Sequence, residues 1–164
     1  MRYIGIMTIA LFAAASRSAA AQESGIAVGA QAPGAVVQTL DGKSIDLGSW
    51  IGKSPMLIEF WAFWCPNCKA LEPTLASLHR KYGARVRFLN VAVSVSETRD
   101  RVKAFTAKKR YPYQTVYDAE GKATEAFDVP ATSYVVVLDR SGKVVYTGVG
   151  AKQDLEPAIL KALR

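Results

Sequence analysis

The chain has little with which to bind a metal. Among its 164 residues there are two cysteines and one histidine. A structural zinc site takes four Cys, or two Cys with two His, and neither set can be assembled here. Any centre that needs several imidazole ligands is excluded for the same reason. There is no internal repeat and no low-complexity tract. After the first two dozen residues, no stretch is long and apolar enough to span a bilayer, which takes about 20 residues. Acidic residues are the scarcer charge, 14 Asp plus Glu against 21 Lys plus Arg, for a formal net of +7. Half the residues are apolar and 21% are charged, which argues against wholesale disorder and against a fibrous repeat. The length suits one domain.

Met1 to Ala21 differ from the rest of the chain. Arg2 gives a positive start, Ile4 to Ala15 is an apolar run broken only by Gly5 and Thr8, and Ala19-Ala20-Ala21 supplies small residues before Gln22. This pattern predicts a cleavable secretory signal over 1–21. The run falls short of a membrane span, although an uncleaved N-terminal anchor is the alternative. Export makes nucleic acid an unsuitable partner despite the basic balance. It also leaves the two Cys free to be a staple, a redox pair or a metal clip. The basic cluster Lys108-Lys109-Arg110 reads as a solvated helix end, or as a patch for an acidic or membrane-bound partner.

Residues 22–32 are small and polar and predict a loosely ordered lead-in to a domain over 33–164. Val36 to Leu40 and Lys43 to Leu47, joined by Asp41-Gly42, predict a hairpin. Met56 to Ala62 is a nearly all-apolar strand, as expected of one covered on both faces, with Glu59 the exception. A helix runs from Cys65 to about Tyr82. Leu71, Leu75 and Leu78 fall at helical spacing, Pro73 lies inside, and Gly83 stops it. Then come a strand over Val86 to Val93, a helix over Glu97 to Arg110 and a short strand over Gln114 to Tyr117. A helical turn over Lys122 to Phe127, a strand over Tyr134 to Leu138 and its hairpin partner over Lys143 to Val149 complete the middle. A last helix capped by Asp154 carries Leu155, Ile159 and Leu163 on one face. The order predicts an α/β layer fold with parallel middle strands and an antiparallel final hairpin.

The chemistry concentrates in Trp64-Cys65-Pro66-Asn67-Cys68, where a buried strand gives way to a helix. The first turn of a helix has unpaired N–H groups and the positive end of the dipole, and both favour a thiolate. Pro66 fits the first helical position, where no N–H is needed. Cys65 is therefore expected at the cap, exposed and activated. Cys68, one turn deeper on the same side, is expected to resolve what Cys65 attacks. Thiols so placed have pKa values lowered toward roughly 3.5–7.5 from about 8.5. A plain staple is the bland reading. A loop of ~15 residues gains only ~3 kcal/mol from such a bond, and this loop is far shorter.

Glu59 lies six residues before Cys65. A carboxyl on a buried strand is raised in pKa by desolvation. Beneath the pair it could accept the proton of Cys68, directly or through water. Alternatively it points outward, or pairs with a lysine such as Lys69. His79, more than two turns past Cys68, reads as a surface residue. Tyr111-Pro112-Tyr113 reads as a turn without chemistry.

The span Met56 to Leu75, MLIEFWAFWCPNCKALEPTL, resembles the thioredoxin superfamily. Glu59 stands where that family has its buried Asp, and Pro73 where it has its helix-kinking Pro. The preceding hairpin and the signal make the chain most similar to the exported TlpA-like group, over roughly 33–164. The resemblance implies a thioredoxin-like fold and a thiol–disulfide oxidoreductase of the periplasm. It implies Cys65 as nucleophile, Cys68 as resolving thiol, a redox-active Cys65–Cys68 disulfide and Glu59 as proton acceptor. Trp64, Pro66, Asn67, Pro130, Thr132 and Ser133 are implied as substrate-binding. No cofactor is expected. The implied partners of this monomer are disulfide-containing exported proteins, in cytochrome c maturation or envelope thiol homeostasis, and a membrane thiol donor of the CcdA/DsbD type.

Two departures stand out. TlpA-like reductases often carry a buried Glu three residues after the second Cys; here that residue is Leu71, with Glu72 next to it. The family also sets a cis-Pro opposite the pair. Pro130 is the nearby proline, but counting back from Asp139 and Gly142 puts Ser133 in that slot. A cis bond before a non-Pro residue costs ~2.5–4 kcal/mol, so the Thr132–Ser133 bond is expected to be trans, with the sulfurs more open. The Pro-Asn between the cysteines, without the His of DsbA-type oxidants, favours a reductant over an oxidant. A copper(I)-binding thiol module is the rival from another class, since soft Cu(I) takes two thiolates.

Overall fold

The structure, a computed structural model, describes residues 25–164. The expected signal and the first three residues of the lead-in lie outside the described residues. Seven strands form one sheet: β1 (Val36–Thr39), β2 (Ser44–Asp46), β3 (Met56–Trp61), β4 (Arg87–Val93), β5 (Gln114–Asp118), β6 (Tyr134–Leu138) and β7 (Val144–Val149). Four helices accompany them: α1 (Pro66–Tyr82), α2 (Arg99–Lys109), α3 (Lys122–Ala126) and α4 (Glu156–Ala162). The strand order is β2-β1-β5-β4-β3-β6-β7. β3, β4 and β5 are parallel, while β6 and β7 run antiparallel beside β3. The N-terminal hairpin does not stand apart. β1 pairs antiparallel with β5 and extends the sheet.

β3 holds the centre, with every residue buried. Because side chains alternate along a strand, Met56, Ile58 and Phe60 enter one apolar cluster and Leu57 the other. Leu57 packs with Leu71, Leu75 and Leu78 of α1 and with Leu155 and Ile159 of α4. The opposite cluster takes Val102 of α2, Ala123 of α3 and Phe127. Phe105 is only half-buried, and Thr106 takes the deeper place on α2. α1 runs through Pro73 without a break in its assignment.

Two expectations are corrected. Residues 25–32 are not a loose lead-in, because backbone bonds stitch them to the body. Ile26 N–H donates to Phe127, Gly29 N–H to Val144 and Ala32 N–H to Gly142. Ala32 is buried as a result. Small polar residues gave no apolar period to read, yet their backbone groups found partners at Phe127, Gly142 and Val144. Asp154 does not cap α4. The cap is Leu155, which is buried and makes no side-chain bond to the helix.

Candidate active site

β3 ends at Trp61, and four residues later α1 opens. Cys65 is the N-cap, in extended backbone conformation, and Pro66 is the first helical residue. Cys65 Sγ accepts a hydrogen bond from the Cys68 backbone N–H at 3.1 Å. An orphan donor of the helix start is thus aimed at sulfur, as a capping oxygen would use it. Cys65 and Cys68 are joined in a disulfide, with Cα atoms 5.3 Å apart. No other cysteine exists to compete.

Exposure departs from the expectation. Cys65 is 2% exposed and Cys68 6%, so neither is open in the bonded form. Both belong to the apolar cluster that holds Phe60, Ala62 and Tyr134. The flanking residues form the rim. Trp64 is 40% exposed, and Pro66 and Asn67 are exposed beside it.

A neighbouring loop grips the segment before Cys65. Trp64 Nε1 donates to the Val95 carbonyl at 3.0 Å, and the Phe63 N–H donates to Glu97 Oε1 at 3.2 Å. Arg101 stacks over the Phe63 ring at 4.7 Å. Glu97 is buried, and its Oε2 has no partner. Burial pushes its carboxyl upward in pKa, against the opposing pull of the Phe63 N–H and the Arg101 charge. Sequence reading misses Glu97, which it places at the start of the next helix. Nothing local marks a residue that acts on a segment 34 positions earlier.

Glu59 points inward. It is 3% exposed, its Oε1 has no hydrogen-bond partner, and burial raises its pKa to about 8, with the charge of Glu72 adding to the rise. It makes no pair with Lys69. Both line a small cavity of about 10 Å³ with Trp61, Cys68, Glu72 and Tyr111. That is room for about one water. Tyr113 lines it too, so the Tyr-Pro-Tyr turn does meet the site.

Across from β3, the Thr132–Ser133 bond is trans, as are all described peptide bonds. Ser133 has φ of 63°, in the left-handed region. Proline, locked near −65°, cannot adopt that backbone. Ser133 is wholly buried. Its N–H donates to Phe60, its hydroxyl donates to the Gly150 carbonyl, and its carbonyl accepts from Gly150 N–H and Gln153 Nε2. The sulfurs beside this loop are not opened, with Cys65 and Cys68 both buried. Pro130 is exposed and Thr132 half-buried, so both remain accessible.

His79 lies away from the pair, edge-on to Phe88 at 5.2 Å. Among the described residues no group of three or more His, Cys, Asp or Glu is placed to hold a metal ion, and no helix is long and apolar enough to cross a membrane.

The Redoxin family model matches residues 27–163. The chain belongs to the Redoxin family. It is similar to the thiol-disulfide oxidoreductase ResA of Bacillus thuringiensis subsp. konkukian, with 28% identity over 142 residues, covering 85% of this chain and 81% of that one. ResA of Bacillus subtilis is 28% identical over 130 residues, covering 79% and 72%. A thiol:disulfide interchange protein of the thioredoxin family from Chlorobium tepidum superposes with a TM-score of 0.70 at 25% identity, covering 85% of this chain and 99% of that one. This Redoxin-family chain is a TlpA-like protein of the thioredoxin superfamily and a thiol–disulfide oxidoreductase.

Proposed function

We propose that this oxidoreductase is exported to the periplasm and reduces disulfides in other exported proteins. The observation that carries the reading is the Cys68 N–H aimed at Cys65 Sγ at the head of α1. In the reduced protein that donor and the helix dipole stabilise a Cys65 thiolate. The thiolate attacks a substrate disulfide, forms a bond to one substrate sulfur and releases the other as thiolate. Cys68 then loses its proton to Glu59 and attacks Cys65. The Cys65–Cys68 bond forms as the bond to substrate breaks. The substrate ends as a dithiol, two electrons richer, and the pair ends oxidised.

Trp64, Pro66 and Asn67 form one side of the docking surface, and Pro130 and Thr132 the other. Electrons return from a membrane thiol donor of the CcdA/DsbD type, and the protein acts as a monomer. The reducing direction is favoured by Pro-Asn between the sulfurs and by the remoteness of His79. Equilibration of the pair in a dithiothreitol buffer tests it. A potential near roughly −270 mV supports a reductant, and one near −120 mV would replace it with an oxidant.

A further inference from the structure

Glu72 lies four residues past Cys68 on α1, one turn along the same face. It lines the same cavity as Cys68 and Glu59. Unlike Glu59 it is only half-buried and has partners on its outer side. Lys109, at the end of α2, places Nζ 3.2 Å from both carboxylate oxygens, and the Tyr111 hydroxyl donates to Oε2 at 3.3 Å. Two buried polar atoms of residues that line the cavity lack partners, the Glu59 Oε1 acceptor and the Trp61 Nε1 donor. A single water fits there, where it could accept from Trp61 and donate to Glu59. One carboxylate is therefore closed off beneath the sulfurs, and a second stands between it and solvent.

We propose that Glu72 is the outlet for the proton that Glu59 takes from Cys68, and that Lys109 governs this transfer through Glu72. Both are positioning residues for the resolving step. The proposal rests on the reading of Glu59 as proton acceptor. Cys68 gives its proton to Glu59 and becomes the attacking thiolate. The proton then passes from Glu59 to Glu72 and on to bulk water, which restores the Glu59 carboxylate. No electron moves in this second transfer.

The groups facing Glu59 set the signs. α1 contributes Cys68, Lys69 and Glu72, and the segment after α2 contributes Tyr111 and Tyr113. The strand neighbours in register, Asn90 and Val135, carry no charge. Ionised Glu72 makes Glu59 hold its proton more tightly, and Lys109 offsets that effect. Removing the Glu72 charge must therefore lower the Glu59 titration midpoint. Removing the Lys109 charge must raise it. The opposite shifts show that both charges act on Glu59, and the turnover rate shows whether Glu72 carries the proton.

The test uses the full chain. The Glu59 midpoint is read by carboxyl ¹³C NMR. The resolving rate is read by stopped-flow tryptophan fluorescence after mixing reduced protein with glutathione disulfide. In Glu72→Gln the midpoint should fall by about one unit, the size of shift a neighbouring charge imparts. Insulin turnover at neutral pH should fall about tenfold, because Glu59 must shed its proton before the next cycle. Lys109→Gln should raise the midpoint, and Glu72→Asp should recover most of the rate. Midpoints that stay put, or that move together in the two variants, would overturn the proposal while leaving Glu59 as acceptor. A wild-type resolving rate in Glu59→Gln would remove the acceptor reading, and this proposal with it.

Discussion

The backbone N–H of Cys68 points at Cys65 Sγ across 3.1 Å, so one member of the pair supplies the main-chain donor for the other's sulfur. Replacing the Cys68 side chain leaves that donor in place. In reduced Cys68→Ser, alkylation of Cys65 by iodoacetamide should titrate well below the ordinary thiol value of about 8.5. The same variant should accumulate a mixed disulfide with substrate, visible by mass spectrometry. Cys65→Ser should lose insulin reduction altogether. An ordinary thiol midpoint at Cys65 would contradict the helix-start account.

Glu59 couples stability to pH with a definite sign. Its folded pKa of about 8 exceeds the ordinary value of 4.5, so the folded state binds the proton more tightly. Its contribution is fully present below pH ~4.5 and is lost as pH rises through about 8. A full separation of the two midpoints corresponds to roughly 4–5 kcal/mol. Glu59→Gln should flatten that decline and be more stable than wild type above pH 8, while resolving more slowly near neutrality. Urea melts at several pH values, beside the stopped-flow rate, check both halves.

Glu97 holds the main chain two residues before Cys65. Glu97→Ala strips the Phe63 N–H of its acceptor and should destabilise the fold by ~1–3 kcal/mol. Trp64 emission should shift as its loop loosens. Glu97→Gln keeps an acceptor oxygen and should stay close to wild type in both readouts. Equal effects of the two substitutions would show that the hydrogen bond is not the cause.

Ser133 occupies a backbone conformation that its hydrogen bonds sustain. Ser133→Ala loses the bond to Gly150 and should cost ~1 kcal/mol. Ser133→Pro cannot keep φ at 63° or the N–H bond to Phe60, and should cost ~3 kcal/mol or more. Thermal melts rank the pair. A proline variant as stable as wild type would mean that the loop readily adopts another path.

Much of the architecture could be read along the chain, because strands and helices announce themselves by local period. Leu71, Leu75 and Leu78 sit at helical spacing, and all three are buried against the sheet. β6 begins and ends where its apolar run does. The lead-in escaped because it is held by backbone bonds to Phe127, Gly142 and Val144, which leave no mark on side-chain pattern. The burial of Cys65 was not legible, since it depends on the apolar cluster that packs around the helix start.

The sequence by itself determined the redox pair, its place at a helix start and a carboxyl on the central strand six residues earlier. Each follows from spacing along one strand and one helix, where covalent geometry limits the outcome. Only the tertiary structure decided what surrounds them. Glu97 reaches back to Phe63, Lys109 and Tyr111 close on Glu72, and Gln153 clamps Ser133. These partners are 20 to 39 positions apart, and their meeting depends on how the elements pack.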